Sequence, residues 1–180
     1  MKTYISILRG INVAGHNQIK MDALRQLYVD LGYAEIKTYI QSGNVIFKSE
    51  STATKTLEKT IGGKIYSAFG LKVPVIILTF DELKNALEHN PFMNESSKNP
   101  TFMHLTFLSD IPELKLLDNI QSDYFLPDEF HWSGKTIYLY CPVGYGNTKL
   151  NNTFFENKLK VSATTRNLRT CKELLSLAEK

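Results

Sequence analysis

The chain has 180 residues, 43% of them hydrophobic and 22% charged, the make-up of an ordinary globular protein long enough to bury a core. Its formal net charge of +3 permits an anionic ligand but is not the clustered basic face that nucleic-acid binding demands. Two cysteines, Cys141 and Cys171, exclude a disulfide framework and fit a reducing compartment, and no apolar run approaches the roughly 18 residues that span a bilayer.

The pattern along the chain alternates strands and helices. Tyr4–Leu8 is an apolar strand, and Arg9 ends it too early for a signal peptide, so a cytoplasmic location is expected. Met21, Leu24, Leu27, Tyr28 and Leu31 recur at helical spacing, with Gly32 as the stop. Glu35–Ile40 and Asn44–Lys48 read as strands joined by a short turn at Ser42-Gly43. Leu57, Ile61, Ile65, Ala68 and Phe69 mark a second helix ended by Gly70, although Gly62-Gly63 inside it weakens helix propensity by about 1 kcal/mol each. Val73–Leu78 is a buried strand. Thr79-Phe80-Asp81-Glu82 has the form of a capping box, opening a helix that stops at Asn90-Pro91.

A polar linker, 93–100, follows, and then the order recurs. Thr101–Leu108 is a strand, and Asp110-Ile111-Pro112-Glu113 opens a short helix. Tyr124–Trp132 and Thr136–Cys141 form a hairpin around Ser133-Gly134. Leu150, Phe154, Phe155 and Leu159 give a helix, Val161–Thr164 a short strand, and Leu168 to Ala178 the last helix. Two copies of β-α-β-β-α-β predict an α+β fold, a duplication of two ferredoxin-like subdomains, each with an extra C-terminal helix. The expected boundaries are 1–92 and 101–180. Helices then cover one face of each sheet, and the other face is solvated or covered by further elements.

Four segments place polar residues beside strand and helix ends. Arg9-Gly10-Ile11-Asn12-Val13-Ala14-Gly15 joins a strand to a helix and offers backbone donors to an anion. It has neither the Lys-Ser/Thr of a Walker loop nor GxGxxG spacing, and plain turn chemistry is the alternative. In Tyr39-Ile40-Gln41-Ser42-Gly43-Asn44, strand alternation puts Tyr39 and Gln41 on the face opposite Ile36, Thr38 and Ile40. The turn accounts for Gly43 and leaves Gln41 unexplained. Thr164-Thr165-Arg166-Asn167 precedes the last helix. Asn167 is its expected cap, while Arg166 is unfavourable there unless an anion or carboxylate is near. Pro142 to Lys149 holds Gly144-Tyr145-Gly146, an anion nest or a flexible connection.

These segments resemble the signatures LRGIN-V-x-G, TYIQSGN and TTRN of the uncharacterised bacterial family called domain of unknown function 1697, with Ala14 where the family usually has glycine. Asn90-Pro91-Phe92 and the glycine-rich loop with Lys149 are similar too. The resemblance covers nearly the whole chain and implies two α+β subdomains related by duplication.

The expected site gathers Arg9, Asn12, Tyr39, Gln41, Asn44, Arg166 and Asn167. The first two strands of a split βαβ unit run parallel, so Arg9–Asn12 and Gln41–Asn44 lie at one end. Arg166 and Asn167 would approach from the other lobe. The functional expectation is a module that binds a small polar anion in a cleft between lobes. The alternatives are an enzyme acting on a phosphorylated or acyl substrate, a nucleic-acid-binding domain, which the mild charge supports weakly, or a protein-interaction domain. No membrane partner is expected. HExxH, CxxC and GxSxG are absent and the four histidines are scattered, so no metal, cofactor or catalytic residue is assigned. Both cysteines sit in apolar patterns and are expected to be buried core thiols.

Overall fold

The computed structural model describes residues 1–50 and 53–180. It contains β1 (Lys2–Leu8), α1 (Met21–Asp30), β2 (Ala34–Tyr39), β3 (Asn44–Ser49), α2 (Thr54–Phe69), β4 (Val75–Thr79) and α3 (Phe80–Glu88). The same order then returns as β5 (Met103–Leu108), α4 (Leu114–Asp118), β6 (Glu129–Ser133), β7 (Thr136–Tyr140), α5 (Asn152–Leu159), β8 (Ala163–Asn167) and α6 (Leu168–Glu179). The sheets have the orders β2-β3-β1-β4 and β6-β7-β5-β8, with every adjacent pair antiparallel. This is the split βαβ arrangement twice over, and the α+β duplication expected from the sequence is correct. The chain divides into two compact units, residues 1–84 with 173–180, and residues 85–172. No helix among the described residues is long and apolar enough to cross a membrane.

The two copies agree in detail. Leu8 N donates to Gly43 O at 2.8 Å and Leu108 N to Lys135 O at 2.8 Å; Arg9 N donates to Pro74 O and Ser109 N to Ser162 O. β1 and β5 each bury a small hydroxyl residue at the same place in the sheet, Ser6 in β1 and Thr106 in β5. A buried hydroxyl needs a partner. Ser6 accepts from Tyr28 at 2.7 Å, and Thr106 shares a 2.7 Å bond with Thr165.

Alternation along the strands makes both faces of the first sheet apolar. Tyr4, Leu8, Val45, Phe47, Val75 and Ile77 pack with Leu24, Leu27 and Tyr28 of α1 and Leu57, Ile61 and Ile65 of α2. On the other face Ile5, Ile7, Ile46, Ile76 and Leu78 are buried as well. The last turn of α6 lies over that face, where Lys37 Nζ donates to Leu177 O at 3.1 Å and satisfies a carbonyl at the helix end. In the second sheet Leu108, Ile137, Leu139 and Ala163 pack with Leu117 of α4 and with Phe155 and Leu159 of α5.

Local signals mark several boundaries. The capping box before α3 is reciprocal: Glu82 N donates to Thr79 Oγ1 at 3.1 Å, and Thr79 N to Glu82 Oε2 at 2.8 Å. Gly70 ends α2 in the left-handed region, at φ 68°. Residues 93–100 lie in the second unit and are bounded by short 3₁₀ turns at Pro91–Asn94 and Pro100–Phe102. Lys98 anchors this stretch. Its ammonium lies 3.4 Å from Glu95, in close contact with Glu129, and 4.5 Å from the centre of the Tyr140 ring.

Two sequence expectations are corrected. Tyr124–Trp132 is not one strand: Ser122–Phe125 is a 3₁₀ turn, and β6 begins only at Glu129. Pro127 has no N–H for a ladder, and Asp128 N turns back to Phe125 O at 2.8 Å. The β2–β3 turn is longer than expected. Tyr39 pairs with Asn44, leaving the loop Ile40 to Gly43. Ile40 takes φ 50°, so strand alternation stops at Tyr39 and does not set the direction of Gln41.

Candidate functional site: the loop end of the first unit

The loop from β1 to α1 occupies residues 9–20, whereas its counterpart from β5 to α4 is only 109–113. The β2–β3 loop occupies 40–43, whereas the β6–β7 turn is only Gly134-Lys135. Both enlargements are in the first copy, and β1 and β2 run parallel, so both lie at the same end of its sheet.

The longer loop folds on itself as a small hairpin. Val13 and His16 form an isolated antiparallel bridge, with His16 N donating to Val13 O at 2.9 Å and Asn12 N to Asn17 O at 3.2 Å. Ala14 at φ 48° and Gly15 at φ 81° give the two positive φ values of a type I′ turn. The glycine loop is therefore a hairpin rather than a cradle of converging amides.

Asn12 clamps this hairpin. Its Oδ1 accepts from Ile19 N at 2.9 Å, and its Nδ2 donates to Ile19 O at 3.0 Å and to Gln41 O at 2.8 Å. The last bond joins the two loops. Gly43 lets them close: a Cβ there would sit 2.6 Å from Ile11 Cδ1 and 2.9 Å from Leu8 Cβ, and its φ is 80°. Asn44 is buried, and its Nδ2 donates to Tyr39 O at 3.1 Å and Ser42 Oγ at 3.0 Å. Asn12 and Asn44 thus hold the loops in shape. Tyr39 is half-buried at the end of β2. Arg9 follows β1, partly buried, with its backbone N on Pro74 O.

Between the loops is an open recess of about 270 Å³ lined by Asn12, Gly15, Gln18, Ile19, Lys20 and Gln41. The side chains of Gln18, Lys20 and Gln41 are exposed and make no hydrogen bond or ion pair with the described residues. Lys20 is at the N-cap position of α1, which has no side-chain cap. A cation there opposes the helix dipole. Residues 9–20 and 40–44 contain Arg9, His16 and Lys20 and no carboxylate. Sequence reasoning missed Gln18 and Lys20. The available signal was Lys20 standing where Ser, Thr, Asp or Asn ordinarily caps a helix.

Arg166 and Asn167 belong to the second unit. Asn167 Oδ1 accepts from Thr170 N at 2.7 Å, capping α6 as expected. Arg166 Nη1 donates to Thr164 Oγ1 at 3.2 Å and Thr165 O at 2.9 Å. Burial lowers its pKa to about 10, with the neighbouring Cys171 and Tyr145 acting in the opposite sense. In the loop before α5, Tyr145 stacks on His104 with ring centres 4.8 Å apart. Both cysteines are buried. Burial raises the Cys141 thiol to about 11, the Asp128 charge adds to this, and the Thr148 bond opposes it. Burial raises Cys171 to about 12 against the pull of Arg166. Neither is a reactive thiolate at neutral pH.

The family model described as "Protein of unknown function (DUF1697)" matches residues 1–138. The chain belongs to the DUF1697 family. Its LRGIN and TYIQSGN signatures are the two loops that meet at Asn12 and Gln41. No curated protein matches the chain. Among solved structures it is similar to the conserved bacterial protein SP0830 from Streptococcus pneumoniae, with a TM-score of 0.77 and 19% identity over 98% of each chain. At that identity the likeness shows the fold alone.

Proposed function

We propose that this DUF1697 protein is a binding module that takes a small polar anion at the loop end of its first unit. The observation that carries the reading is an asymmetry at one end of the sheet: both loops there are longer in the first copy than in the second, and they bond to each other through Asn12 and Gln41. Loops on a rigid scaffold are where binding residues concentrate. Asn12, Gly43 and Asn44 shape the loops, Arg9 opens the first loop and Tyr39 precedes the second, and Gln18, Lys20 and Gln41 meet the ligand. An anion beside Lys20 would offset a cation now facing a helix N-terminus. The reading does not draw on Arg166 and Asn167, whose polar groups bond within the second unit.

Thermal unfolding with phosphate or pyrophosphate, against chloride at matched ionic strength, tests this. A ligand at ~100 times its Kd adds about 2.7 kcal/mol of stability. The expected result is an upward shift in Tm that Lys20→Gln abolishes. No shift in the parent protein, or an equal shift in Lys20→Gln, overturns the reading.

A further inference from the structure

β6 is an edge strand, hydrogen-bonded to β7 alone in its sheet. The ladder decides which of its backbone groups face outward. Leu108 N donates to Lys135 O at 2.8 Å and Cys141 N to Phe102 O at 2.9 Å, so Lys135 and Cys141 turn towards β5. Alternation along β7 turns Thr136, Tyr138 and Tyr140 the other way, onto their partners Ser133, His131 and Glu129. Phe130 and Trp132 are left with N–H and C=O groups pointing out of the sheet, and no backbone bond outside the ladders reaches them among the described residues. Such an edge is a template for another strand, and chains ordinarily blunt it. The matching edge of the first copy is blunted. β2 breaks register between Ala34 and Lys37, Glu35 takes φ 48°, and Glu35 pairs with Lys48 at 2.6 Å. β6 keeps an unbroken register along its whole length and contains no lysine or arginine. Its Trp132 is 38% exposed, and Tyr124 and Leu126, just ahead of the strand, are 79% and 66% exposed.

We propose that β6 pairs antiparallel with β6 of a second copy of this chain, joining their two four-stranded sheets edge to edge. This surface is in the second unit and is independent of the anion reading. The strand is complementary to itself. The register centred on His131 is the one that uses both outward residues of each copy: Phe130 meets Trp132 of the second copy, and Trp132 meets its Phe130. Each such pair exchanges two backbone bonds, so every outward group of both strands is satisfied. Phe130 and Trp132 stand opposite Leu139 and Ile137 on one face of the sheet, so the pairing forms two aromatic cross-strand pairs there. On the other face Glu129 comes opposite Ser133 and diagonal to His131, and no carboxylate faces a carboxylate. A foreign strand would find the same backbone groups, but nothing in β6 selects its side chains, whereas the chain itself supplies a strand that fits. The area buried, on the order of 1,000 Å² in total, is that of a weak interface, and a Kd on the order of 10–100 µM is expected.

Sedimentation equilibrium of the full chain from about 1 µM to about 1 mM, with amide hydrogen exchange at both ends of the range, tests this. The mass is expected to rise from one chain towards two, and exchange at Phe130 and Trp132 to slow as it does. Trp132→Pro removes an outward N–H and leaves the ladder to β7 intact. Trp132→Lys puts a charge on the edge. Both are expected to keep the far-UV spectrum of the parent and to weaken dimerisation by about tenfold or more. Val29→Lys, at an exposed position of α1, should dimerise as the parent does. A single-chain mass over the whole range overturns the proposal. A dimer that persists undiminished in Trp132→Lys, or that Val29→Lys also abolishes, overturns the assignment to β6. Should either Trp132 variant unfold, exchange in the parent decides: protection of Phe130 and Trp132 that does not change with concentration overturns it.

Discussion

Gly43 is the residue on which the loop end depends most directly. Its positive φ alone would disfavour any side chain, and the position of Ile11 and Leu8 leaves no space for a methyl group. Gly43→Ala therefore combines a left-handed alanine with overpacking, and a loss of about 2–4 kcal/mol is expected from the two together. Urea unfolding measures it; a loss below about 0.5 kcal/mol would show that the loops part without cost. Lys98 makes the opposite kind of contribution, through charge. Burial acts to lower its pKa, but hydrogen bonding and charge from Glu129, then Glu95, outweigh it and the net shift is upward from 10.5. The folded state thus binds the proton more tightly than the unfolded chain. The stabilisation is fully present below the unfolded value and is lost as pH rises through the higher folded value. Stability measured from pH 8 to 11.5 is expected to fall less steeply in Lys98→Met than in the parent; parallel curves would assign the alkaline slope to other groups.

At the scale of elements, most of the fold was legible because its signals are local. The Thr79–Glu82 box, Gly32, Gly70 and the 3.6-residue spacing of Leu57, Ile61 and Ile65 each act within one turn of chain. The failures have the same explanation in reverse. The β2–β3 loop is set by Ile11 and Leu8, which lie far away in sequence, so Ser42-Gly43 alone suggested too short a turn. Pro127 is the local signal against a single strand over Tyr124–Trp132, because its missing donor breaks the ladder ahead of β6. For the candidate site, Asn12 and Gln41 were legible as polar residues at strand ends, and they do meet. Their roles were not legible, because the side chain of Asn12 is spent on Ile19 and Gln41. The doubt raised by Gly62-Gly63 also resolves locally. Both lie within α2; Gly62 faces Val73 and Val75, while a Cβ on Gly63 would meet nothing within 4 Å. Gly63→Ala is expected to stabilise by about 0.5–1 kcal/mol through the smaller entropy of the unfolded chain. A destabilised variant in urea titration would mean that α2 is strained at this point.

At the scale of the whole molecule, duplication supplies an internal control. The second copy shows what the β-α-β-β-α-β unit needs in order to fold, and that is a connection of residues 109–113 and a two-residue turn. The hairpin in residues 12–17 exceeds this need. The residues of its tip, Val13 to His16, are all exposed and none belongs to the core cluster. Replacing Val13-Ala14-Gly15-His16 by Asn-Gly makes Asn12 and Asn17 the closing pair of a two-residue turn, and keeps Asn12 on Ile19 and Gln41. The shortened chain is expected to keep its far-UV spectrum and unfold within about 3 °C of the parent, since surface changes away from the core usually cost under 0.5 kcal/mol. It also removes Gly15 from one wall of the recess. The phosphate-dependent rise in Tm should then shrink or vanish although Lys20 is retained. An undiminished phosphate response in a well-folded shortened chain would place the anion elsewhere on the first unit. Unfolding of the shortened chain would instead make the hairpin part of the scaffold, and the loop asymmetry between the copies would no longer argue for a site.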